Sequence, residues 1–326
     1  MFWASHFLAA LAVVLAWPAP IALSRAQWPS RSPFTAMILW QAIALAGGLS
    51  MIGAMLVWGL EPLGDNLLQA LRGLWDVMVN NRPADTLGLV HVFALSAASL
   101  LTAHLVFTLL ITYARIRAQR RRHRNLLNLL SSPSRTSPST LVIKHPSPVA
   151  YCLPGGARSV TVLSDGLMGL LSDEELRAVL LHERAHLSQR HHLLLWAFAA
   201  WRAALPWLPT SRLAQRAVNE LIEMLADDVA VKQVDHETLV GAIAVVATGR
   251  HGPGTETPAP SDAGMDPESD AESDADDGSL STVHRLRRLL QPQRPLTPVQ
   301  QFAALGTSAL LLTVPTALLI APGLLG

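Results

Sequence analysis

One short segment combines the residue types and the spacing that metal-dependent hydrolysis requires. Residues Leu180–Leu187 read L-L-H-E-R-A-H-L. His182 and His186 are four residues apart, so on a helix both imidazoles project from one face, where they can bind one Zn²⁺. Glu183 would then lie beside the metal, in a position to act as general base toward a zinc-bound water. The pattern therefore predicts a zinc site that performs hydrolysis.

A second segment could supply the remaining ligand, since a catalytic zinc normally has three protein ligands and one water. Residues 223–227 read E-M-L-A-D, which places Glu223 and Asp227 on one face of a helix. Glu223 can bind the metal, and Asp227 can accept a hydrogen bond from a zinc-binding histidine and fix its tautomer. The intervening residues are apolar, and unpaired acids on a buried helix are costly. The pattern therefore favours a metal site over an ordinary acidic face, with Glu220 and Asp228 as weaker ligand candidates.

The type of zinc site follows from the cysteine content. A structural site is usually closed by four ligands, commonly including cysteine, whereas this chain has Cys152 alone. One cysteine also excludes an internal disulfide. Together with Glu183 beside the ligands, this favours a catalytic site with one Zn²⁺ per chain. The residue that would stabilise the reaction's oxyanion stays open, with Arg285 and His191 as candidates.

Helices and short strands must position these motifs. Ser172 followed by Glu175 has the spacing of a capping box and predicts the start of the helix that carries the first motif. A second helix is predicted from Ser211 to Lys232 for the E-M-L-A-D run. Segments rich in β-branched and aromatic residues predict a small hairpin region upstream. These segments are Thr140–Ile143, Val149–Leu153 and Ser159–Leu163.

The composition indicates a membrane protein. Half of the residues are hydrophobic and 15% are charged, against about 25% charged residues in soluble domains. Four stretches lack Lys, Arg, Asp and Glu and exceed the roughly 20 residues that span a bilayer. They are Phe2–Leu23, Phe34–Leu60, Leu87–Ala114 and Gln301–Leu324. No basic residue precedes the apolar core of the first stretch, which favours a retained helix over a cleaved signal peptide.

The arginines predict the orientation in the membrane. Six lie between residues 115 and 124, after the third stretch, and four between 285 and 294, before the fourth. Both flanks are therefore expected in the cytoplasm and both termini outside. The arginines could instead bind nucleic acid, but their place beside a membrane helix favours anionic lipids, so no direct nucleic-acid binding is expected. Two Lys against 23 Arg indicate a GC-rich bacterial genome and hence a bacterial cell membrane.

These boundaries predict three regions. Residues 1–114 contain three transmembrane helices, residues 115–298 form a cytoplasmic domain, and residues 299–326 form the fourth transmembrane helix. Within the domain, residues 252–282 contain nine acids and neither Lys nor Arg. They are rich in Pro, Gly, Ser and Asp, so this acidic segment is predicted to be a disordered insert.

The two motifs and their flanks carry a family resemblance. With A-Y-C-L-P-G-G and L-S-D-E-E-L-R-A-V-L-L, they resemble the membrane zinc metallopeptidases of the BlaR/MecR antirepressor family over residues 141–232. On the same motifs the chain is similar to the wider group of the bacterial heat-shock membrane protease and the CAAX prenyl protease. The resemblance implies a gluzincin-like, mainly α protein: four transmembrane helices with a cytoplasmic α+β zincin-like metalloprotease domain. It also implies the roles proposed above for His182, His186, Glu223, Glu183 and Asp227.

The resemblance further implies an activity. It predicts a zinc-dependent endopeptidase that cleaves a cytoplasmic or membrane-proximal protein, with a transcriptional repressor as the partner in signal transduction. It also predicts that Val149–Leu153 is an exposed sheet edge, where Ala150, Tyr151 and Cys152 hold an extended substrate. Two alternatives stay open: a quality-control protease for membrane proteins, and a non-catalytic zinc-binding signal transducer.

Overall fold

The computed structural model describes residues 2–80, 87–133, 140–153, 159–249, 270–291 and 293–320. In chain order the elements are α1 (Phe2–Ala16), α2 (Pro18–Arg25), a 3-10 turn (Trp28–Arg31), α3 (Pro33–Leu60), a 3-10 turn (Glu61–Leu63), α4 (Leu67–Val79), α5 (Leu89–Leu130), β1 (Ser131–Pro133), β2 (Thr140–Ile143), β3 (Ala150–Leu153), β4 (Val160–Ser164), α6 (Asp165–Leu170), α7 (Asp173–Ser188), α8 (His191–Ala204), α9 (Pro209–Ala230), α10 (His236–Gly249), α11 (Asp270–Leu290) and α12 (Pro298–Ile320). These elements form two units. The first comprises residues 1–111, 200–218 and 296–326, and the second comprises residues 112–199 and 219–295.

The first unit is built around α3, against which α1 and α12 pack. Leu8 of α1 and Leu319 of α12 lie on the small residues Gly53 and Ala54 of α3. A Cβ added to Gly48 would stand 2.9 Å from the Trp201 ring, so this close approach requires glycine. Small residues that let helices approach closely are typical of packing inside a membrane.

Among the described residues, four helical segments are long and apolar enough to cross a membrane: Phe2–Arg25, Pro33–Leu63, Leu89–Leu127 and Pro298–Ile320. The four predicted apolar helices are therefore confirmed as helices. Two boundaries differ from the prediction. The first helix is interrupted at Trp17, before Pro18. The third runs on to Leu130, because arginine is a good helix former and nothing in the Arg-rich segment ends a helix.

The second unit contains a four-stranded sheet in the order β1-β2-β4-β3. β2 and β4 are parallel, with Leu141 opposite Val162. β3 and β4 are antiparallel, with Ala150 opposite Leu163, as the predicted hairpin requires. Residues 154–158, which connect β3 to β4, lie outside the described residues. β3 is thus at one edge of the sheet, where the resemblance expected an edge strand.

Backbone direction along β3 follows from one pair of hydrogen bonds. The Ser164 N–H donates to the Val149 carbonyl at 2.9 Å, and the Val149 N–H donates to the Ser164 hydroxyl at 2.9 Å. Val149 therefore directs both backbone groups toward β4. Because direction alternates along an antiparallel strand, Tyr151 also faces β4, whereas Ala150 and Cys152 direct their N–H and C=O groups toward the free edge.

The helices of the second unit begin where side chains cap them. Ser172 and Glu175 form the predicted capping box at the start of α7, which is confirmed. α7 packs against α10 and α11 through a core that buries an alanine on α7 and apolar residues on its neighbours. This core consists of Ala178, Ala230, Leu239, Ala242 and Leu289. The core fixes the motif helix α7 against the second motif helix α9.

The acidic segment differs from its prediction in part. Residues 250–269 lie outside the described residues, but residues 270–282, predicted as disordered, belong to helix α11. Composition alone was misleading because the second half of α11 is amphipathic and Leu289 is buried in the core around α7.

Candidate active site

The two predicted motifs meet on facing helices. His182 and His186 lie one turn apart on α7, with their Nε2 atoms 3.2 Å from each other. Glu223 on α9 directs its carboxylate between them, with Oε2 3.3 Å from His182 Nε2 and Oε1 3.5 Å from His186 Nε2. Among the described residues, these three form a group whose ligand atoms all lie within 4.8 Å of one another.

The spacing of these atoms fits zinc. A tetrahedral ion with bonds of about 2.0–2.1 Å separates its ligand atoms by about 3.3 Å. The two Nε2 atoms are 3.2 Å apart, and each lies 3.3 or 3.5 Å from a different oxygen of the Glu223 carboxylate, so all the separations are close to that value. Two neutral imidazoles and a carboxylate are also the ligand types of open catalytic zinc sites. The residues present therefore fit a zinc ion with one position left for water.

Asp227 lies beside the first histidine, a position that fits its predicted role as hydrogen-bond acceptor. His182 Nδ1 lies 2.9 Å from Asp227 Oδ1, and both side chains are almost fully buried. Burial alone would lower the pKa of His182, but hydrogen bonds to Asp227 and Glu223 outweigh burial and raise the pKa to about 9. Without a metal this pKa keeps the ring protonated at pH 7, so binding of zinc would release the Nε2 proton while Nδ1–H stays directed toward Asp227.

Arg285 on α11 holds both acids of α9. Its Nε and one terminal nitrogen donate to the two oxygens of Asp227 at 2.8 and 2.7 Å, and the other terminal nitrogen lies 2.8 Å from Glu223 Oε2. Burial would raise the pKa of Asp227, but Arg285 and His182 outweigh it and keep that pKa below its usual range. Arg285 therefore pairs with the carboxylates of Asp227 and Glu223. The sequence had suggested a different role for it, the stabilisation of the oxyanion.

A second hydrogen-bond chain orients His186. Its Nδ1 lies 3.0 Å from His191 Nδ1, and His191 Nε2 lies 2.7 Å from Gln189 Oε1. Burial lowers the pKa of both His186 and His191 to about 4, so both rings are neutral at pH 7. If His191 donates from Nε2 to Gln189, its Nδ1 can only accept, and His186 must donate from Nδ1. The lone pair of His186 is then on Nε2, toward the metal position.

The turn that places His191 has an unusual backbone. Between α7 and α8, Arg190 adopts φ of 53°, the left-handed region that non-glycine residues rarely occupy. This turn brings His191, the first residue of α8, back against His186. From sequence, His191 was considered only as a candidate for stabilising the oxyanion. Its contact with His186 was not predicted, because no local sequence pattern marks an arginine with a left-handed backbone.

Glu183 follows His182 on α7. Burial raises the pKa of the Cys152 thiol, and the charge of Glu183 adds to this rise. Burial would lower the pKa of Arg285, but its hydrogen bonds to Asp227 and the charges of Glu223, Asp227 and Glu183 outweigh burial and raise that pKa. The Glu183 carboxylate therefore acts electrostatically on Cys152 of β3 and on Arg285 of α11.

β3 packs directly beside the motif helix. Ala150 contacts the cluster that includes Leu176, Val179 and Leu180 of α7. Tyr151 points to the opposite face, where its hydroxyl lies 2.8 Å from His123 Nε2. Ala150 and Tyr151 therefore point to opposite faces of the sheet, as successive residues of a strand do.

The weaker ligand candidates lie outside the cluster. Glu220 Oε1 is 3.0 Å from His284 Nδ1, and Asp228 Oδ1 is 2.7 Å from an Arg288 nitrogen. Each acid thus has its own partner on α11 and does not face the metal position.

Comparison with known proteins gives one match. Residues 116–239 match the model of peptidase family M48. No curated protein and no solved structure matches the chain. The match covers both motifs, and it supports the predicted relationship to the group of the heat-shock and CAAX proteases, whereas the closer BlaR/MecR assignment stays a prediction. With the three candidate metal ligands His182, His186 and Glu223, the match indicates that residues 116–239 form a metallopeptidase domain similar to those of family M48.

Proposed function

We propose that the protein is an integral membrane zinc endopeptidase that cleaves a cytoplasmic or membrane-proximal protein. The observation that carries this proposal is the convergence of His182 Nε2, His186 Nε2 and the Glu223 carboxylate within 4.8 Å of one another, with Glu183 one residue from the first candidate ligand. The family match and the four apolar helices support the peptidase class and the membrane location respectively.

Each side chain has a distinct task in this proposal. His182, His186 and Glu223 hold the ion, which when bound supplies a Lewis acid for the scissile carbonyl and the attacking water. Glu183 accepts a proton as the water oxygen attacks the carbonyl carbon. It returns that proton to the amide nitrogen as the C–N bond breaks. Asp227 and His191 keep the ligand imidazoles in the tautomer that leaves Nε2 free.

The direct test is metal dependence. Purified protein in neutral detergent should contain one zinc per chain, and a chelator should abolish cleavage of an unfolded protein substrate. Adding zinc back should restore cleavage, because both histidine tautomers are fixed by groups of the protein. Cleavage that continues after complete removal of zinc would refute a zinc peptidase.

The nature of the substrate distinguishes the two candidate functions, a regulatory protease and a quality-control protease. The resemblance to the antirepressor family favours a regulatory substrate such as a transcriptional repressor. The match to family M48 favours the second candidate, quality control of membrane proteins, since the heat-shock membrane protease belongs to that wider group. Substrate trapping in cells with Glu183→Gln separates them, because one enriched soluble regulator supports the first and many membrane proteins support the second.

Membrane topology gives a separate prediction. If the arginine distribution sets the orientation, reporter fusions after Arg124 and near Gly252 should report a cytoplasmic position. Fusions near Pro83 and after Gly326 should report an external one. An external result near Gly252 would place the zinc site on the opposite side of the membrane and contradict the proposed cytoplasmic substrate.

Substrate binding at β3 is tested by proline. Ala150→Pro removes an N–H that points to the free edge, so zinc should stay bound while cleavage falls about tenfold or more, since one hydrogen bond is worth about 0.5–1.5 kcal/mol and strain adds to it. Tyr151→Pro removes an N–H that faces β4, so it should destabilise the sheet and release zinc.

The control for this pair is Ala150→Gly, which shortens the side chain but keeps the outward N–H. It should cleave substantially better than Ala150→Pro. Equal cleavage by Ala150→Pro and the unaltered protein, with zinc retained in both, would show that the substrate binds elsewhere.

A further inference from the structure

A basic cavity lies beside the motif helix, in the second unit, and the proposed hydrolysis does not use it. Its volume is about 900 Å³. Six arginines line it, together with an aromatic pair, two serines and a histidine. The arginines are Arg117, Arg120, Arg121 and Arg124 of α5, Arg184 of α7, and Arg190 in the turn after α7. Among the described residues that line the cavity, every fully charged side chain is positive.

The arginines of α5 form one stripe. Positions 117, 120, 121 and 124 recur at the spacing that places residues on one helix face. Arg115 and Arg122 belong to the same Arg-rich segment but do not line the cavity. The cavity is therefore lined by one face of the Arg-rich segment. A general electrostatic attraction to an anionic surface would not require the arginines to be arranged on one face.

One end of the cavity is aromatic. Tyr113 and Trp196 line it with their ring centroids 4.9 Å apart, and the Tyr113 hydroxyl accepts a hydrogen bond from Arg117 at 3.1 Å. Tyr113 belongs to the last turn of the apolar part of α5, just before the arginines. Tyrosine and tryptophan at the end of an apolar helix, followed by arginine, are typical of the level of lipid headgroups.

We propose that this cavity binds the headgroup of an anionic phospholipid with two phosphates, of the cardiolipin type. Arginine suits this ligand because its planar fork donates two hydrogen bonds to a phosphate. Six arginines exceed what a single phosphate can use, which favours two phosphates. The aromatic end of the cavity, where Tyr113 and Trp196 would lie at the level of lipid headgroups, favours a lipid over a soluble phosphate or an acidic peptide.

The bound lipid would connect α5 with the motif helix. Arg184 lies between the two ligand histidines in sequence but is exposed toward the cavity, and Arg190 is the left-handed residue of the turn that places His191. A headgroup that binds the arginines of α5 and these two residues would hold the back of α7 and its C-terminal turn in place.

The test measures lipid binding and does not depend on peptide cleavage. Full-length protein in neutral detergent is titrated with cardiolipin, and retained lipid is measured by native mass spectrometry. The double variant Arg117→Gln with Arg121→Gln should lower the affinity for cardiolipin about tenfold to thirtyfold, because each arginine near anionic lipid strengthens binding by several-fold. The matched control, Arg115→Gln with Arg122→Gln, removes the same charge from the same helix and should stay within about threefold. Unchanged zinc content in both variants shows that each is folded.

Three results would overturn the proposal. Equal losses in the two double variants would show general electrostatic attraction without a site. Displacement of cardiolipin by pyrophosphate at equal concentration would indicate a soluble phosphate ligand. Cardiolipin binding that appears only after deletion of residues 253–269 would identify the chain's own acidic segment as the occupant.

Discussion

Glu183→Gln should keep zinc at one ion per chain and lower the rate of peptide cleavage by about 10²–10⁴-fold, the usual contribution of a general base. Glutamine preserves the size and polarity of the side chain but cannot accept the proton of the attacking water. His182→Ala, His186→Ala and Glu223→Gln should instead lose zinc, because each removes one of three ligand atoms. Metal analysis and a cleavage assay on the same purified samples separate the two classes.

The matched control for Glu223→Gln is Glu220→Gln. Glu220 is three residues earlier on the same helix and pairs with His284, whose side chain is 61% exposed. Its loss should leave both zinc and cleavage close to normal. Full activity of Glu183→Gln would remove the base from the mechanism, and zinc retained by all three ligand variants would place the metal elsewhere.

The ligand set could be predicted because its information is local. His182 and His186, like Glu223 and Asp227, are four residues apart, and helical periodicity alone brings each pair to one face. The capping box at Ser172 is local in the same sense. That the two helices lie side by side was inferred from the coordination chemistry of zinc, because a catalytic zinc normally requires a third protein ligand from another element.

Other features depend on contacts that no local pattern records. Arg285 is far from Asp227 in sequence and stands among other arginines, so nothing distinguishes the one that turns inward. The parallel pairing of β2 with β4 depends on tertiary packing. Residues 270–282 were predicted to be disordered because their composition is acidic and poor in apolar residues. They are helical as the first part of α11, whose C-terminal part is anchored by the buried Leu289.

Arg285→Gln should produce the largest loss of stability. The Arg285 side chain is 12% exposed and Asp227 is 1% exposed, and the arginine uses all three nitrogens on Asp227 and Glu223. Removing one partner of a buried ion pair costs about 3–5 kcal/mol, because the remaining carboxylates lose their compensating charge. For a unit of this size the melting temperature should fall by about 6–20 °C. Thermal unfolding in detergent measures it.

Arg288→Gln is the control on the same helix. Arg288 pairs with Asp228, which is 38% exposed, and an exposed pair of this kind contributes about 1 kcal/mol or less. Its melting temperature should therefore fall by no more than about 4 °C. Arg285→Lys refines the result, since lysine keeps the charge but cannot donate to both oxygens of Asp227 and to Glu223 at once. Recovery of most of the stability by lysine would show that charge alone matters, whereas a loss close to that of glutamine would show that the three-nitrogen geometry holds the two acids around the zinc site.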